Sequence, residues 1–268
     1  MKRKPYVAGY FYPGQKDTLE HMLHSLVDKD RDKEKAVCVV TPHAGYEYSG
    51  KVAGAVFSSV QLPRKLILLG PSHRAIQGHF AIMREGYWST PLGNISIATD
   101  LADRILEGSD LISEDDEAHM GEHSLEVQLP FIQIFNPDCE IVPISNTYFA
   151  SFEELDELGK TIATAVKDQS EDILIVASTD MSHQETQETA EKKDFTAIQK
   201  ILDLDPRGLF EVVKKEQISM CGYQATTAAL VAAKELGAER AELIKYQTSG
   251  DVTGDYHSVV GYAGIRVT

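Results

Sequence analysis

With 268 residues, 43% hydrophobic and 25% charged, the chain can bury a sizeable core and has the composition of a soluble globular protein. A net charge of −15 excludes a nonspecific nucleic-acid footprint, which needs clustered Lys and Arg, and disfavours an anionic membrane surface. No apolar stretch reaches the length of a membrane span and the N-terminus carries no signal-peptide apolar region. Cys38, Cys139 and Cys221 make an unmotivated set for disulfides, so a reducing, cytoplasmic setting is expected.

No linker, repeat or charge tail divides the chain, and a single domain over 1–268 is expected. Residues 1–16, rich in Gly, Pro and Tyr, read as an irregular lead-in. Asp17-Thr18 can cap a helix over 17–27, with Leu19, Met22, Leu23 and Leu26 on one face. The charged run 28–35 reads as a solvated loop. The apolar run 36–40 then ends at Thr41-Pro42-His43-Ala44-Gly45, and a helix of small residues follows over 50–60. The run 65–69 lacks polar alternation, the pattern of a strand buried on both faces, and stops at Gly70-Pro71-Ser72-His73. Segments 80–83 and 95–98 flank the turn-rich GYWSTPLGN and suggest a hairpin insertion.

A helix over 100–107 and an acidic loop over 113–118 come next. His119-Met120-Gly121-Glu122-His123 leads into a helix bearing Leu125, Leu129, Ile132 and Phe135, kinked or started by Pro130. A strand over 140–144 is followed by a helix that Ser151 caps and that runs to 167. The strand 172–177 delivers Ser178-Thr179-Asp180-Met181-Ser182-His183. Helices over 186–202, 206–215 and 224–236 and strands over 241–246 and 258–267 complete the chain. Strand and helix alternate almost throughout, which predicts an α/β sandwich with a central, mostly parallel sheet flanked by helices.

Three buried strands thus end by offering His43, His73 and His183. Ligands of open α/β sheets bind at that edge, so distant pieces of sequence can converge on one site. Neutral imidazoles are the commonest metal ligands. In a helical first turn, Asp180 and His183 would share a face, so that Asp180 orients the ring or supplies a ligand; equally, Asp180 caps a helix and His183 is solvated. Cys221 stands before a predicted helix start, where aligned N–H groups lower a thiol's pKa. This suits a thiolate ligand or a nucleophile, against the alternative of a small buried hydrophobe. Glu122 and His123 can shape the pocket. Tyr6, Tyr10, Phe11, Tyr12, Tyr46 and Tyr48 can line a ligand groove or pack simply against the core. His257 is a weaker candidate, and His21, His24 and His79 read as surface residues. Phosphate-cradling, G-x-S-x-G, H-E-x-x-H and paired C-x-x-C motifs are absent from the sequence.

On Tyr10-Phe11-Tyr12-Pro13, Pro42-His43-Ala44-Gly45-Tyr46, Gly70-Pro71-Ser72-His73, Ser89-Thr90-Pro91-Leu92-Gly93, Glu122-His123-Ser124-Leu125-Glu126, Ser178-Thr179-Asp180-Met181-Ser182-His183 and Cys221-Gly222, the sequence resembles the Memo family. In prokaryotes that family is called AmmeMemoRadiSam system protein B. It resembles the class III, non-haem-iron extradiol dioxygenases in fold. The resemblance implies a metal on His43, His73 and Cys221, with His183 as acid–base and Asp180 beside it. Tyr48, Glu122 and His123 would face a small-molecule or peptide ligand. Fe(II) is the expected metal, with copper or zinc as alternatives, because Cys221 replaces the carboxylate of a 2-His-1-carboxylate triad and a thiolate also suits Cu(I) and Zn. The implied function is a metal-dependent, dioxygenase-like oxidoreductase; the alternative is a peptide- or partner-binding protein that uses the same pocket without chemistry. The family's prokaryotic name points to a radical-SAM-linked pathway, but the chain has no C-x₃-C-x₂-C motif of its own.

Overall fold

The computed structural model describes residues 2–74 and 78–268. The chain opens on β1 (Lys2–Arg3), then α1 (Lys16–Leu26), which packs Leu19 and Leu23 inward. Its first turn is entered from Gln15 without a side-chain cap, so the expected Asp17-Thr18 cap is not used. β2 (Cys38–Thr41) is buried along its whole length, and α2 (Tyr46–Ser58) starts directly after Gly45, four residues before the sequence reading placed it. β3 (Lys65–Pro71) is likewise buried at every position.

The insertion that follows is more elaborate than one hairpin. β4 (Phe80–Ile82) pairs with neighbours, whereas the hairpin itself is β5 (Tyr87–Thr90) against β6 (Gly93–Ile97), inside the stretch read as turn. α3 (Thr99–Glu107) precedes β7 (Ile112–Glu114), which occupies part of the expected acidic loop and pairs with β4. A 3₁₀ turn at Glu126–Gln128 runs into α4 (Leu129–Phe135), with Pro130 in its first turn, where its missing N–H costs nothing.

β8 (Glu140–Asn146) leads to α5 (Phe152–Lys167), where Ser151 and Glu154 form the reciprocal capping box. β9 (Ile173–Ser178) is followed by a short extended piece, β10 (His183–Glu185). α6 (Gln187–Leu202) comes next, then α7 (Pro206–Lys215), capped by Asp205, and α8 (Tyr223–Glu235). β11 (Ala241–Thr248), the short α9 (Gly250–Thr253) and β12 (Val259–Val267) end the chain.

Among the described residues these strands form one 12-stranded sheet, whose main path is β1-β5-β6-β8-β3-β9-β2-β12-β10. The centre β8-β3-β9-β2 is parallel, and β12 closes against β2 antiparallel, so the sheet is mixed. α8, backed by α5 and α7, covers one face of the centre, and α2, with α1 and α4 behind it, covers the other. Small residues allow this closeness: a side chain at Gly159 would meet Val231 and the Ala228 carbonyl of α8. Because β3, β9 and β2 are adjacent and parallel, the chain segments after them emerge side by side at the same edge. No helix among the described residues is long and apolar enough to cross a membrane.

Candidate metal centre

At that edge, His43, His73 and His123 each offer a ligand nitrogen, all within 4.8 Å of one another. The rings of His73 and His123 stack at 4.5 Å, and both stand edge-on to His43, at 5.4 and 5.3 Å. His43 is buried, His123 half-buried and His73 exposed, so the cluster opens to solvent on the His73 side.

Each ring is fixed through Nδ1 or its neighbourhood, so Nε2 is the atom that turns toward a ligand or, in His43, toward Cys221. Nδ1 of His43 lies 2.9 Å from Ser178 Oγ, whose own hydroxyl donates to the Ser124 carbonyl at 2.6 Å. Gln128 Nε2 donates to the same Ser178 Oγ and to the Pro42 carbonyl, both at 2.9 Å, so the buried Gln128 ties the His43 loop to the 3₁₀ turn. Nδ1 of His73 lies 3.0 Å from Glu122 Oε1, and that carboxylate also accepts from the backbone N–H groups of His73, His123 and Ser124 at 2.6–2.8 Å. His123 Nδ1 is 3.4 Å from Glu122 Oε1. Glu122 is thus a common anchor for two of the three rings. Burial alone would raise its pKa; the His73 hydrogen bond and charge, with the Ser124 N–H, outweigh burial and hold the carboxyl well below the usual range.

Burial disfavours the charged form of two of these rings. It lowers His43 to about 3, with His73 adding repulsion, and lowers His123 to about 4, with His43 adding repulsion. Neutral imidazole is the form that binds a metal.

Cys221 stands against His43, its Sγ 3.1 Å from Nε2. Its approach depends on Gly222, where a Cβ would lie 2.3 Å from the Ser178 carbonyl oxygen and 2.6 Å from Thr179 Cβ. The expected lowering of the thiol by the helix start does not hold. Burial raises its pKa, the Asp180 carboxyl raises it further, and α8 begins only at Tyr223.

Asp180 and His183 correct a second expectation. No helical turn joins them: residues 179–182 are irregular and His183 is paired with Val260 of β12. Asp180 Oδ1 accepts from the backbone N–H groups of His43 (2.8 Å) and Ala44 (3.3 Å), and Oδ2 lies 3.9 Å from His43 Nε2. Its carboxyl braces the His43 loop rather than orienting His183, and burial raises its pKa. The His183 ring is oriented by Ser219, with Nδ1 2.9 Å from the Ser219 carbonyl oxygen and the backbone N–H on Ser219 Oγ at 2.7 Å. A carbonyl can only accept, so Nδ1 is the donor of this bond and Nε2 is left out of it.

Tyr48 lies in the first turn of α2, partly exposed, and no contact brings it to the three rings among the described residues. Phe11 packs on the His123 ring at 4.7 Å, which brings this part of the N-terminal aromatic segment beside the cluster. Sequence reasoning did not find Tyr148, after β8, whose ring stands edge-on to His73 at 6.4 Å. The signal was available, since β8 is a further buried parallel strand beside β3, and its end belongs to the same edge. His257 is exposed, and His79 pairs with Glu154 at 3.0 Å, away from the cluster.

Comparison with known proteins identifies relatives of the whole chain. The profile of the Memo-like protein family matches residues 3–266. MEMO1 family proteins of Pyrobaculum arsenaticum, Methanosarcina mazei and Methanopyrus kandleri are 42%, 41% and 38% identical, over 98–99% of this chain and 98% of each of theirs. In three dimensions the chain is similar to an uncharacterized protein from Escherichia coli K12, with a TM-score of 0.59 at 14% identity, covering 85% of this chain and 99% of that one.

Proposed function

The chain belongs to the Memo family, and we propose that it is a metal-dependent oxidoreductase whose metal sits on His43, His73 and His123. The observation that carries this reading is the meeting of three braced imidazoles within 4.8 Å at an open sheet edge. The resemblance implies Cys221 as the third ligand and His123 facing substrate; the set proposed takes His123 instead, on the closeness of its ligand nitrogen to those of His43 and His73, with Cys221 Sγ 3.1 Å from His43 Nε2. The donor chemistry fits a borderline divalent cation: imidazole suits iron, copper and zinc, and Fe(II) is the form proposed. When bound, such a metal supplies Lewis-acid and one-electron chemistry.

The chain's own residues do the rest. Glu122 and Ser178 hold the rings in register, and Asp180 fixes the backbone of the His43 loop. His183, its Nδ1 proton committed to Ser219, takes a proton from a bound substrate at Nε2. The substrate proposed is a small, hydroxylated, oxidisable molecule. The setting is a reducing one, supported by three free cysteines.

A second reading is a binding module for peptide, supported by Tyr10 and Phe149, 89% and 93% exposed, which adjoin Phe11 and Tyr148 beside the rings. Oxygen consumption by the Fe(II)-loaded protein across a panel of vicinal diols separates the two. The oxidoreductase reading expects uptake with at least one diol and its loss in His183→Ala with ligand binding kept. No uptake with any diol while iron is bound overturns the oxygenase form and leaves the binding module.

A further inference from the structure

The mouth of the cluster carries a cation that the protein leaves unpaired. Arg74 follows His73 directly, on the side where the cluster opens to solvent, and is itself exposed. Its backbone is held by Ser72, whose hydroxyl donates to the Arg74 carbonyl at 3.0 Å and accepts the Arg74 N–H at 3.3 Å. The side chain then crosses to a second segment. A Cβ on Gly121 would lie 2.5–3.0 Å from the guanidinium atoms, so the planar group rests on the bare backbone of that glycine. Gly121 has a φ of +73°, a conformation that other residues adopt only under strain, so the space for the guanidinium is built into the turn. Glu122 and His123 are the next two residues. The guanidinium therefore joins the loop of His73 to the turn of His123, whose two rings stack at 4.5 Å.

No carboxylate answers this charge among the described residues. Glu122 adjoins Gly121, but its oxygens are committed to the His73 ring and to the backbone N–H groups of His73, His123 and Ser124. A guanidinium keeps its charge at every working pH and offers a fork of N–H donors that matches one carboxylate. In a chain of net charge −15, an anionic ligand has to be met by a local cation.

We propose that Arg74 binds a carboxylate group of the ligand seated on His43, His73 and His123, so that the substrate is a hydroxylated carboxylate rather than an uncharged molecule. Arg74 is a specificity-determining residue that sets the charge of the ligand from the rim. The assignment rests on the metal centre proposed above.

The test uses Co(II)-loaded protein, wild type and Arg74→Met, titrated by its visible absorption with nicotinate against nicotinamide and with isonicotinate against isonicotinamide. All four bind a metal through the ring nitrogen, and each acid has the shape of its amide and differs in charge. The two pairs place the carboxylate at different positions around the ring. In wild type at least one acid should bind about fivefold more tightly than its amide, the upper end for an exposed ion pair. Arg74→Met should erase that preference and leave amide affinity and cobalt stoichiometry within about twofold. Acids no tighter than their amides in wild type, a preference that persists in Arg74→Met, equal weakening of acids and amides, or a loaded wild type that takes none of the four overturns this inference alone. A wild type that takes up neither Co(II) nor Fe(II) overturns the centre and this inference together.

Discussion

At the scale of single residues, the centre is a problem of holding three imidazoles still, and Glu122 solves most of it. One buried carboxylate accepts three backbone N–H groups and the His73 ring, so the positions of His73 and His123 are set by the same two oxygens. Glu122→Gln replaces one acceptor oxygen by an NH₂ group that must face N–H donors. Metal affinity, measured by competition with a chelator, should fall about 10- to 100-fold, the usual cost of losing an outer partner of a ligating histidine. An affinity within twofold of wild type would show that the backbone alone fixes the rings. The sequence displayed Glu122 and His123 as a pair worth attention, but their division of labour was not legible there. It depends on residues 122–124 folding back onto the His73 loop, a contact across about fifty positions that local spacing does not encode.

At the scale of elements, the strands announced themselves. The apolar runs ending at His43, His73 and Ser178 are β2, β3 and β9, buried at every position and adjacent in the sheet, which is why three distant motifs meet. What failed was local conformation past the strand ends. Spacing of Asp180 and His183 suits a helical turn, yet β12 claims the segment: the Met181 N–H donates to the Gly261 carbonyl, and His183 pairs with Val260. The pairing turns Asp180 toward the His43 loop and sends His183 to Ser219. A long-range ladder overrode a short-range preference, and no reading of the local window contains the partner strand. The Tyr87–Thr90 strand was hidden in the same way, since its pairing with β6 and with β1 makes a strand of residues that read as turn.

At the scale of the whole molecule, the N-terminal segment read as an irregular lead-in is a strap over the site. Arg3 is fully buried and donates to Glu126 (2.7 Å) and to the carbonyls of His119 (2.8 Å) and Glu122 (2.5 Å), with its guanidinium 4.0 Å above the Trp88 ring. The Glu126 carboxylate also receives Tyr12 and the N–H groups of Tyr6 and Val7. The start of the chain is thereby locked to the turn that carries Glu122 and His123. His119 is sealed in this network, and burial, with the charge of Arg3, lowers its pKa to about 3.

That depression ties stability to pH. An unfolded His119 takes up a proton below its ordinary value of 6.5, whereas the folded one stays neutral until about 3. Its contribution is therefore fully present above 6.5 and is lost as pH falls between those values. In denaturant unfolding of metal-free protein, His119→Gln should flatten the acid-side fall in stability by up to about 1.4 kcal/mol per pH unit, one proton's share. Identical pH slopes in the two proteins would mean that His119 protonates without leaving its place.

The central claim is that the metal's third ligand is His123. The measurement that tests it most directly is metal content of anaerobically Fe(II)-loaded protein, by elemental analysis, for wild type, His43→Ala, His73→Ala, His123→Ala and Cys221→Ala. The account predicts about one iron per chain in wild type, loss in all three histidine variants, and retention in Cys221→Ala. Iron kept in His123→Ala and lost in Cys221→Ala would contradict it, and would return the third position to the thiol.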